Sequence, residues 1–371
     1  MKKRLAVLIT VVFLVGGILY EYLHLKKEES PANIAITAIP IDASFIFESC
    51  RNFPLWKGVS QTNLIWEDIL GTESGNELNK SILYIDSLIQ QDPKVRSIIE
   101  NQPLFVSAHK NGMEHFDYLF VCTIPNTKEE EELHTFAETI SKNGSISQSQ
   151  YDGIILYCLK ITGKNDFYYS VNKGIFIGSL SSQLVQESLR QMESGISLMD
   201  NSNFTKVLKA SSGQPLAELF INYQSLYNVA EPFMVKDFHS YLTTIQDFAQ
   251  WSGLDVNITP DEIIMNGFTA ADSTGAQFIS LFNHQSAQSP HIASVIPANT
   301  SLFSCFEISN NKAFIKDYRK YVGLHRRTAR HNEWVDQIEK EYGVNVEKNF
   351  YSWLDNEIAL VITEPSDSML Q

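Results

Sequence analysis

Three groups of side chains in this sequence have types and spacing that could do chemistry. Asp261 and Glu262 stand together, Glu129, Glu130, Glu131 and Glu132 run in series, and His325, Arg326, Arg327, Arg330 and His331 form the basic cluster outside the amino terminus. Paired carboxylates serve acid and base catalysis, a glutamate run could hold a cation, and guanidinium groups grip carboxylates or phosphates. Each group also has a plainer reading. Thr259-Pro260-Asp261-Glu262 is a polar turn ahead of an apolar strand. Glu129 to Glu132 fall where a helix start places carboxylates against its exposed amides. The basic cluster has the spacing of a solvated helix face, and Arg326, Arg327 and Arg330 are carried forward as candidate ligand or partner residues.

The aromatic residues Tyr223, Tyr227, Phe233, Phe238, Tyr241, Phe248 and Trp251 are dense and partly helically spaced. Core packing is the default for such a stripe. The sharper reading is a hydrophobic groove for a lipid or a partner helix, for which Tyr223, Tyr227, Phe238 and Tyr241 are the candidates. Cys50, Cys122, Cys158 and Cys305 form no metal-binding spacing and read as small core hydrophobes. Cys122 and Cys158 both fall in strand-like runs, where an oxidising compartment would permit a bridge. The nine histidines include no HExxH or paired ligand spacing, no phosphate-binding Gly-rich loop occurs, and no local motif sets a nucleophile beside a base. The expectation is a protein without cofactor or metal that is not an enzyme.

The elements that would position these residues begin with an address. Lys2, Lys3 and Arg4 precede an uncharged apolar run from Leu5 to Tyr20, which Leu23 can extend. A cationic flank keeps the amino terminus in the cytoplasm and sends the rest of the chain across. Residues 1–4 are then a cytoplasmic tail, 5–23 a transmembrane signal anchor and 24–32 a linker. The alternative is a cleaved signal peptide, with Val15 and Gly17 at the peptidase site. The location implied is the inner membrane, single-pass, with the bulk of the chain in the periplasm. Of the 29 basic and 43 acidic residues, 24 and 40 lie beyond residue 29. So acidic a body repels phosphate backbones, which speaks against nucleic-acid binding and leaves membrane contact to the amino-terminal helix.

Beyond the linker, Ile34 to Ile39 and Phe45 to Cys50 read as two strand pieces around Pro40, and Leu64 to Ile89 as a helical stretch. The Asn111-Gly112 pair between Leu104 to Lys110 and Phe116 to Ile124 predicts a hairpin. A helix capped by Asn126 or Thr127 follows. Then comes a meander from Ser145 to Gly178 turned by Asp152-Gly153 and Lys173-Gly174, and a helix from Ser181 or Ser182 to Gly195. A short helix near Asn203, a strand at Leu216 to Asn222, a helix over Val235 to Trp251, and strands at Glu262 to Ala270 and Ala276 to Phe282 complete the unit. Helices interleaved with antiparallel hairpins predict an α+β fold, mainly antiparallel sheet.

Ile39-Pro40-Ile41-Asp42-Ala43-Ser44-Phe45 is echoed 257 residues on by Ile296-Pro297-Ala298-Asn299-Thr300-Ser301-Leu302. Asn101 to Val106 is likewise echoed by Asn356 to Val361. Two landmarks in one order predict a tandem unit, the first copy over 33–289 and a partial second over 290–371. The second copy contains the first arm of the hairpin and not its partner strand. Either another segment pairs with that arm or the chain is a shortened form, and the shortened form is the expectation.

Several stretches carry a resemblance: the Ile39-Pro40 opening, Lys173-Gly174-Ile175-Phe176-Ile177-Gly178-Ser179 running into a helix, and Ser197-Leu198 followed by Asn203-Phe204. Gly343-Val344, Phe350 and Trp353-Leu354 add to it. Over most of residues 35–371 the chain resembles the bacterial domain-of-unknown-function family 3352. The resemblance implies an anchored or secreted envelope protein without established activity, and it carries over no functional residues. The reading is a binding or scaffolding module of the cell envelope, with a carrier or chaperone of an amphipathic ligand, such as a lipid or lipoprotein, as the alternative.

Overall fold

A computed structural model of the chain describes residues 31–49, 92–111, 115–141, 146–160, 166–210, 215–230, 244–271, 274–325 and 328–364, with isolated positions 70, 71, 87 and 90. The proposed anchor and most of the Leu64 to Ile89 stretch lie outside these residues. Among the described residues no helix is long and apolar enough to cross a membrane. The chain divides into two compact units, one holding Trp251–Phe268 and the residues up to Thr243, the other Thr244–Gln250 and Thr269–Gln371.

The first unit is built on one large sheet. Its strands are β1 (Phe45–Ser49), β2 (Leu104–Asn111), β3 (His115–Thr123), β4 (Ile146–Tyr151), β5 (Ile154–Leu159), β6 (Phe167–Asn172), β7 (Ile175–Ser179), β8 (Ala217–Asn222), β9 (Trp251–Ile258) and β10 (Ile263–Ala270). They lie in the order β10-β9-β8-β1-β2-β3-β7-β6-β5-β4, and the ladders from β9 to β4 are antiparallel. The fold is therefore α+β with a large antiparallel sheet. Tight turns set the register: Asp152-Gly153 and Lys173-Gly174 all have positive φ, the geometry whose twist matches paired strands.

Among the described residues six helices accompany this sheet: α1 (Pro31–Ile36), α2 (Pro93–Asn101), α3 (Thr127–Ile140), α4 (Ser182–Ser194), α5 (Ser202–Ala210) and α6 (Tyr223–Ala230). Their ends are chemically marked. Asn126 caps α3 through Glu129 N–H, Ser181 caps α4, and Gly195 ends α4 in the left-handed region. One sheet face buries Ile46, Phe105, Leu119, Val121, Ile177 and Phe220, and Phe204 of α5 meets both Phe220 and Trp251.

Three sequence expectations are corrected. Ile34 to Ile39 is not a strand: Pro31 opens α1, where a missing N–H costs nothing, and Ala35, Ile36, Ala38 and Ile39 are all buried. Trp251 does not end a helix but begins β9, of whose supposed preceding helix residues 231–243 lie outside the described set. Ala276 to Phe282 is not a strand either. Phe278–Phe282 forms a 3-10 helix that aims both Phe278 and Phe282 at Phe306, while Phe248 stacks on Phe278. Cys122 and Cys158, read first as small hydrophobes with a bridge as the alternative, are free. They sit on β3 and β5, three places apart in the sheet, or roughly 14 Å at about 4.8 Å per strand, and a bridge needs Cα atoms within about 7 Å.

The second unit has a two-stranded sheet of β11 (Thr300–Glu307) and β12 (Glu357–Thr363), antiparallel, with α7 (Asn311–Leu324) and α8 (Thr328–Tyr342) between them in sequence. Its core gathers Leu281, Ile308, Phe314, Tyr321 and Val322. Local geometry at its start repeats that of the first unit at an offset of 257 residues. Thr37 N–H and Oγ1–H both donate to Ile34 O, as Ser294 N–H and Oγ–H donate to His291 O; Ala38 donates to Ala35 O as Val295 to Ile292 O; Ala43 donates to Pro40 O as Thr300 to Pro297 O. In both places a helical turn, a proline turn and a strand follow in order, and the strand pairs antiparallel with a later one, β1 with β2 and β11 with β12.

Candidate functional site

The chemistry-bearing arrangement in the first unit joins residues that no local motif connects. Ser107 and His109, two apart on β2, project from the same sheet face, and the Pro40 turn brings Asp42 to them. Ser107 Oγ lies 2.8 Å from His109 Nε2, and His109 Nδ1 lies 3.0 Å from Asp42 Oδ1. The hydrogen bond from His109 holds the Asp42 carboxyl below its ordinary range. A carboxylate only accepts, so Nδ1 donates to Asp42, and Nε2 shares its hydrogen bond with Ser107 Oγ.

This is the connectivity of a hydrolytic triad with its burial inverted. Ser107 is 0% exposed and His109 2%, whereas the Asp42 side chain is 60% exposed. In a working triad the nucleophile meets a substrate carbonyl and the aspartate is shielded. Here a carbonyl has no path to Ser107 Oγ, and what the trio does is pin a turn to a strand. The same turn is held from α4, whose Ser188 Oγ–H donates to Ala38 O and whose Gln191 both donates to Ile39 O and accepts from Ile41 N–H. Ser44 Oγ–H donates to Ser225 O on α6.

A second buried ionisable group lies on β1. Glu48 is buried and faces Glu218 directly across the β1–β8 ladder. Desolvation, with the Glu218 charge added, pushes its carboxyl up to about 8, so it is held in its neutral form at neutral pH. Burial also raises the Cys122 thiol to about 12, which removes its nucleophilic form.

The candidate residues read from sequence are not drawn into one site. Tyr223 and Tyr227 lie one turn apart on α6, both half-buried. Tyr223 Oη is within 3.0 Å of Ser252 Oγ on β9, and burial raises its phenol. Phe238, Tyr241, Arg326 and Arg327 lie outside the described residues, and Arg330 belongs to α8. His325 of the basic cluster turns inward, its Nδ1 3.3 Å from Asp247 Oδ2. The Thr259 to Glu262 stretch is a turn, with Thr259 N–H donating to Glu262 O. Glu129 and Glu130 stand in the first turn of α3, and among the described residues no group of His, Cys, Asp or Glu could hold a metal ion. The sequence reading missed the His109 trio, because Asp42 and His109 are 67 residues apart and only the β1–β2 pairing unites them.

Polar convergence is thus internal, and what the surface offers instead is apolar strand. On β10, Ile263, Ile264, Met265 and Phe268 are exposed; on β11 and β12, Leu302, Phe303, Leu360 and Ile362 are. The residues that carry the family resemblance are packing devices. Leu198, Asn203 and Phe204 are buried, Ser197 and Asp200 form a capping box, and a Cβ on Gly178 would come within 2.6 Å of the Phe167 ring.

No curated protein and no solved structure matches the chain. The model of the family described as "Protein of unknown function (DUF3352)" matches residues 107–369, and the chain belongs to that family.

Proposed function

We propose that this protein is a membrane-anchored, extracytoplasmic module of the cell envelope that binds or organises a partner and performs no catalysis. The observation that carries the reading is the contrast between the two edges of the large sheet. At one edge, β4 presents Ser147, Gln148, Ser149 and Gln150 to solvent, the polar protection that an isolated edge requires. At the other, β10 presents Ile263 and Met265 on one face and Ile264 and Phe268 on the opposite one. An apolar edge that no described strand covers is a surface that pairs with another chain. The buried Ser107 argues in the same direction, since the one nucleophile–base–acid connectivity described is closed to substrate.

The anchor reading rests on Lys2, Lys3, Arg4 and the run to Tyr20. The tandem reading, a first unit over 33–289 and a partial second over 290–371, rests on the paired hydrogen bonds at an offset of 257 residues. A photo-crosslinking side chain at Met265 in the full-length protein, in its membrane, tests the binding role. Crosslinks to a discrete envelope protein are expected, with the chain retained in the membrane fraction after a high-salt wash. A lipid retained in native mass spectrometry, with no protein adduct, would replace the scaffold by the carrier.

A further inference from the structure

Among the described residues the β11–β12 pair has an open edge, and its geometry indicates what fits. In the first unit, β2 is flanked by β1 on one side and β3 on the other. β12, its counterpart in the repeat, is flanked by β11 alone among the described residues. On this open strand Leu360 is 63% exposed. Further along the same face Phe306 and Ile358 are covered by Phe278, Phe282 and α7, so Leu302, Leu360 and Ile362 form the uncovered end of a face otherwise packed.

Register decides which groups of β12 point outward. Ile308 N–H donates to Asn356 O, which makes 308 with 356 a hydrogen-bonded pair, and such pairs alternate along an antiparallel ladder. Leu360 and Ile362, opposite Ser304 and Leu302, therefore spend their backbone groups on β11. Glu357, Ala359, Val361 and Thr363 turn theirs to the open edge. The other open edge, on β11, is interrupted by a bulge between Thr300 and Leu302, a device that blunts pairing. The β12 edge has none.

We propose that β12 pairs antiparallel with β12 of a second copy of this chain, about a two-fold axis through Leu360. This deepens the binding reading above and rests on it. The sequence Glu357-Ile358-Ala359-Leu360-Val361-Ile362-Thr363 is nearly palindromic in character. Centred on Leu360, it sets Ile358 opposite Ile362, Ala359 opposite Val361 and Glu357 opposite Thr363, with no like charges facing. The outward-pointing residues 359 and 361, and 357 and 363, then fall together as hydrogen-bonded pairs, which is the condition an antiparallel ladder imposes. A one-residue slip of register would break that match. The partner's strand occupies on β12 the place β3 occupies on β2, and the four strands β11-β12-β12-β11 bring Leu302, Leu360 and Ile362 of both copies into one stripe.

The register makes the test specific. Opposite residues of a non-hydrogen-bonded pair have Cα atoms about 4.5 Å apart, within the range of a disulfide, so Leu360→Cys should crosslink to itself under mild oxidation of the full-length protein. Thr363→Cys, about 20 Å from its own copy at about 3.3 Å per residue, should give no more dimer than the unsubstituted chain. Val361→Pro removes an outward donor while leaving the β11 ladder, and should convert the species from dimer to monomer in detergent at unchanged circular dichroism. Equal crosslinking at 360 and 363, or monomeric mass at every concentration, overturns the pairing. If the chain is monomeric yet Met265 still crosslinks a discrete envelope protein, the pairing fails while the binding role stands.

Discussion

Glu48 on β1 and Glu218 on β8 stand directly opposite each other across an antiparallel ladder, with Glu48 the more deeply buried of the two. Burial disfavours the charge of Glu48 and the like charge of Glu218 across the sheet adds to that, so Glu48 holds a proton. Its native carboxyl is pushed up to about 8, from an ordinary value of 4.5. The unfolded chain therefore releases this proton at lower pH than the folded one. The stabilising contribution of the protonated form is complete below pH 4.5 and is lost as pH rises toward 8. Glu48→Gln, which keeps the shape and cannot ionise, should raise stability at pH 8.5 by about 2–4 kcal/mol. It should change little at pH 4.5. Denaturant unfolding at the two pH values checks this, and an equal effect at both would show that Glu48 is charged in the fold.

Replacing His109 addresses whether the buried trio is structural. His109→Leu leaves Ser107 Oγ without the Nε2 partner found at 2.8 Å and frees Asp42. A buried hydroxyl stripped of its partner costs about 1–3 kcal/mol, to be read in the first unit's unfolding transition. Asp42, whose carboxyl is held low chiefly by its hydrogen bond to His109, contributes stability present above its ordinary value of 3.8 and lost as pH falls through the lower native value. Asp42→Asn should therefore flatten the acid limb of the stability curve. A fluorophosphonate probe should not label the native protein; stoichiometric labelling at Ser107 would mean that the site opens and that a hydrolase reading must replace this one.

Gly267 on β10 approaches β9 so closely that an added Cβ would lie 1.9 Å from Gly253 O. That atom is backbone and cannot rotate away. Gly267→Ala should therefore loosen β10 from β9 rather than unfold the sheet, because β10 is the outermost strand. The expected cost is about 1–3 kcal/mol, with faster amide exchange at 263–270 and no change across β1, β2 and β3. Loss of the whole sheet would mean that β10 is integral to the core.

How far the sequence reveals this fold depends on where the determining interaction lies. Hairpins turned by Asp152-Gly153 and Lys173-Gly174 are legible because the turn residues themselves supply the positive φ. The α3 and α4 starts are legible because Asn126 and Ser181 cap their own helices. Ile34 to Ile39 is ambiguous, since a short apolar run with Ala35, Ile36, Ala38 and Ile39 all buried has neither period 2 nor period 3.6 to betray it. β9 is hidden differently: Gly253, Asp255 and Asn257 are poor strand formers, and Gly253 is tolerated because a Cβ there would press within 3.1 Å of Val207 on α5. The His109 trio is illegible for a third reason, being fixed by the Phe45 to Ala108 register and not by any neighbour in sequence.

Amide exchange offers the last prediction, because the two counterpart strands differ in how many edges are paired. On β2 alternate amides point to β1 and to β3, so every residue from 104 to 111 that enters a ladder should be protected by one neighbour or the other. On β12 the amides of Ile358, Leu360 and Ile362 point to β11, while those of Ala359 and Val361 point away from it. A monomer should show strict alternation, with Ala359 and Val361 exchanging faster than their neighbours by orders of magnitude. Pairing of two copies through this edge should slow those two amides as protein concentration rises and leave Leu360 unchanged. Uniform, concentration-independent protection from 357 to 363 would place another strand of the same chain on that edge, and the two-fold pairing would then have no room to form.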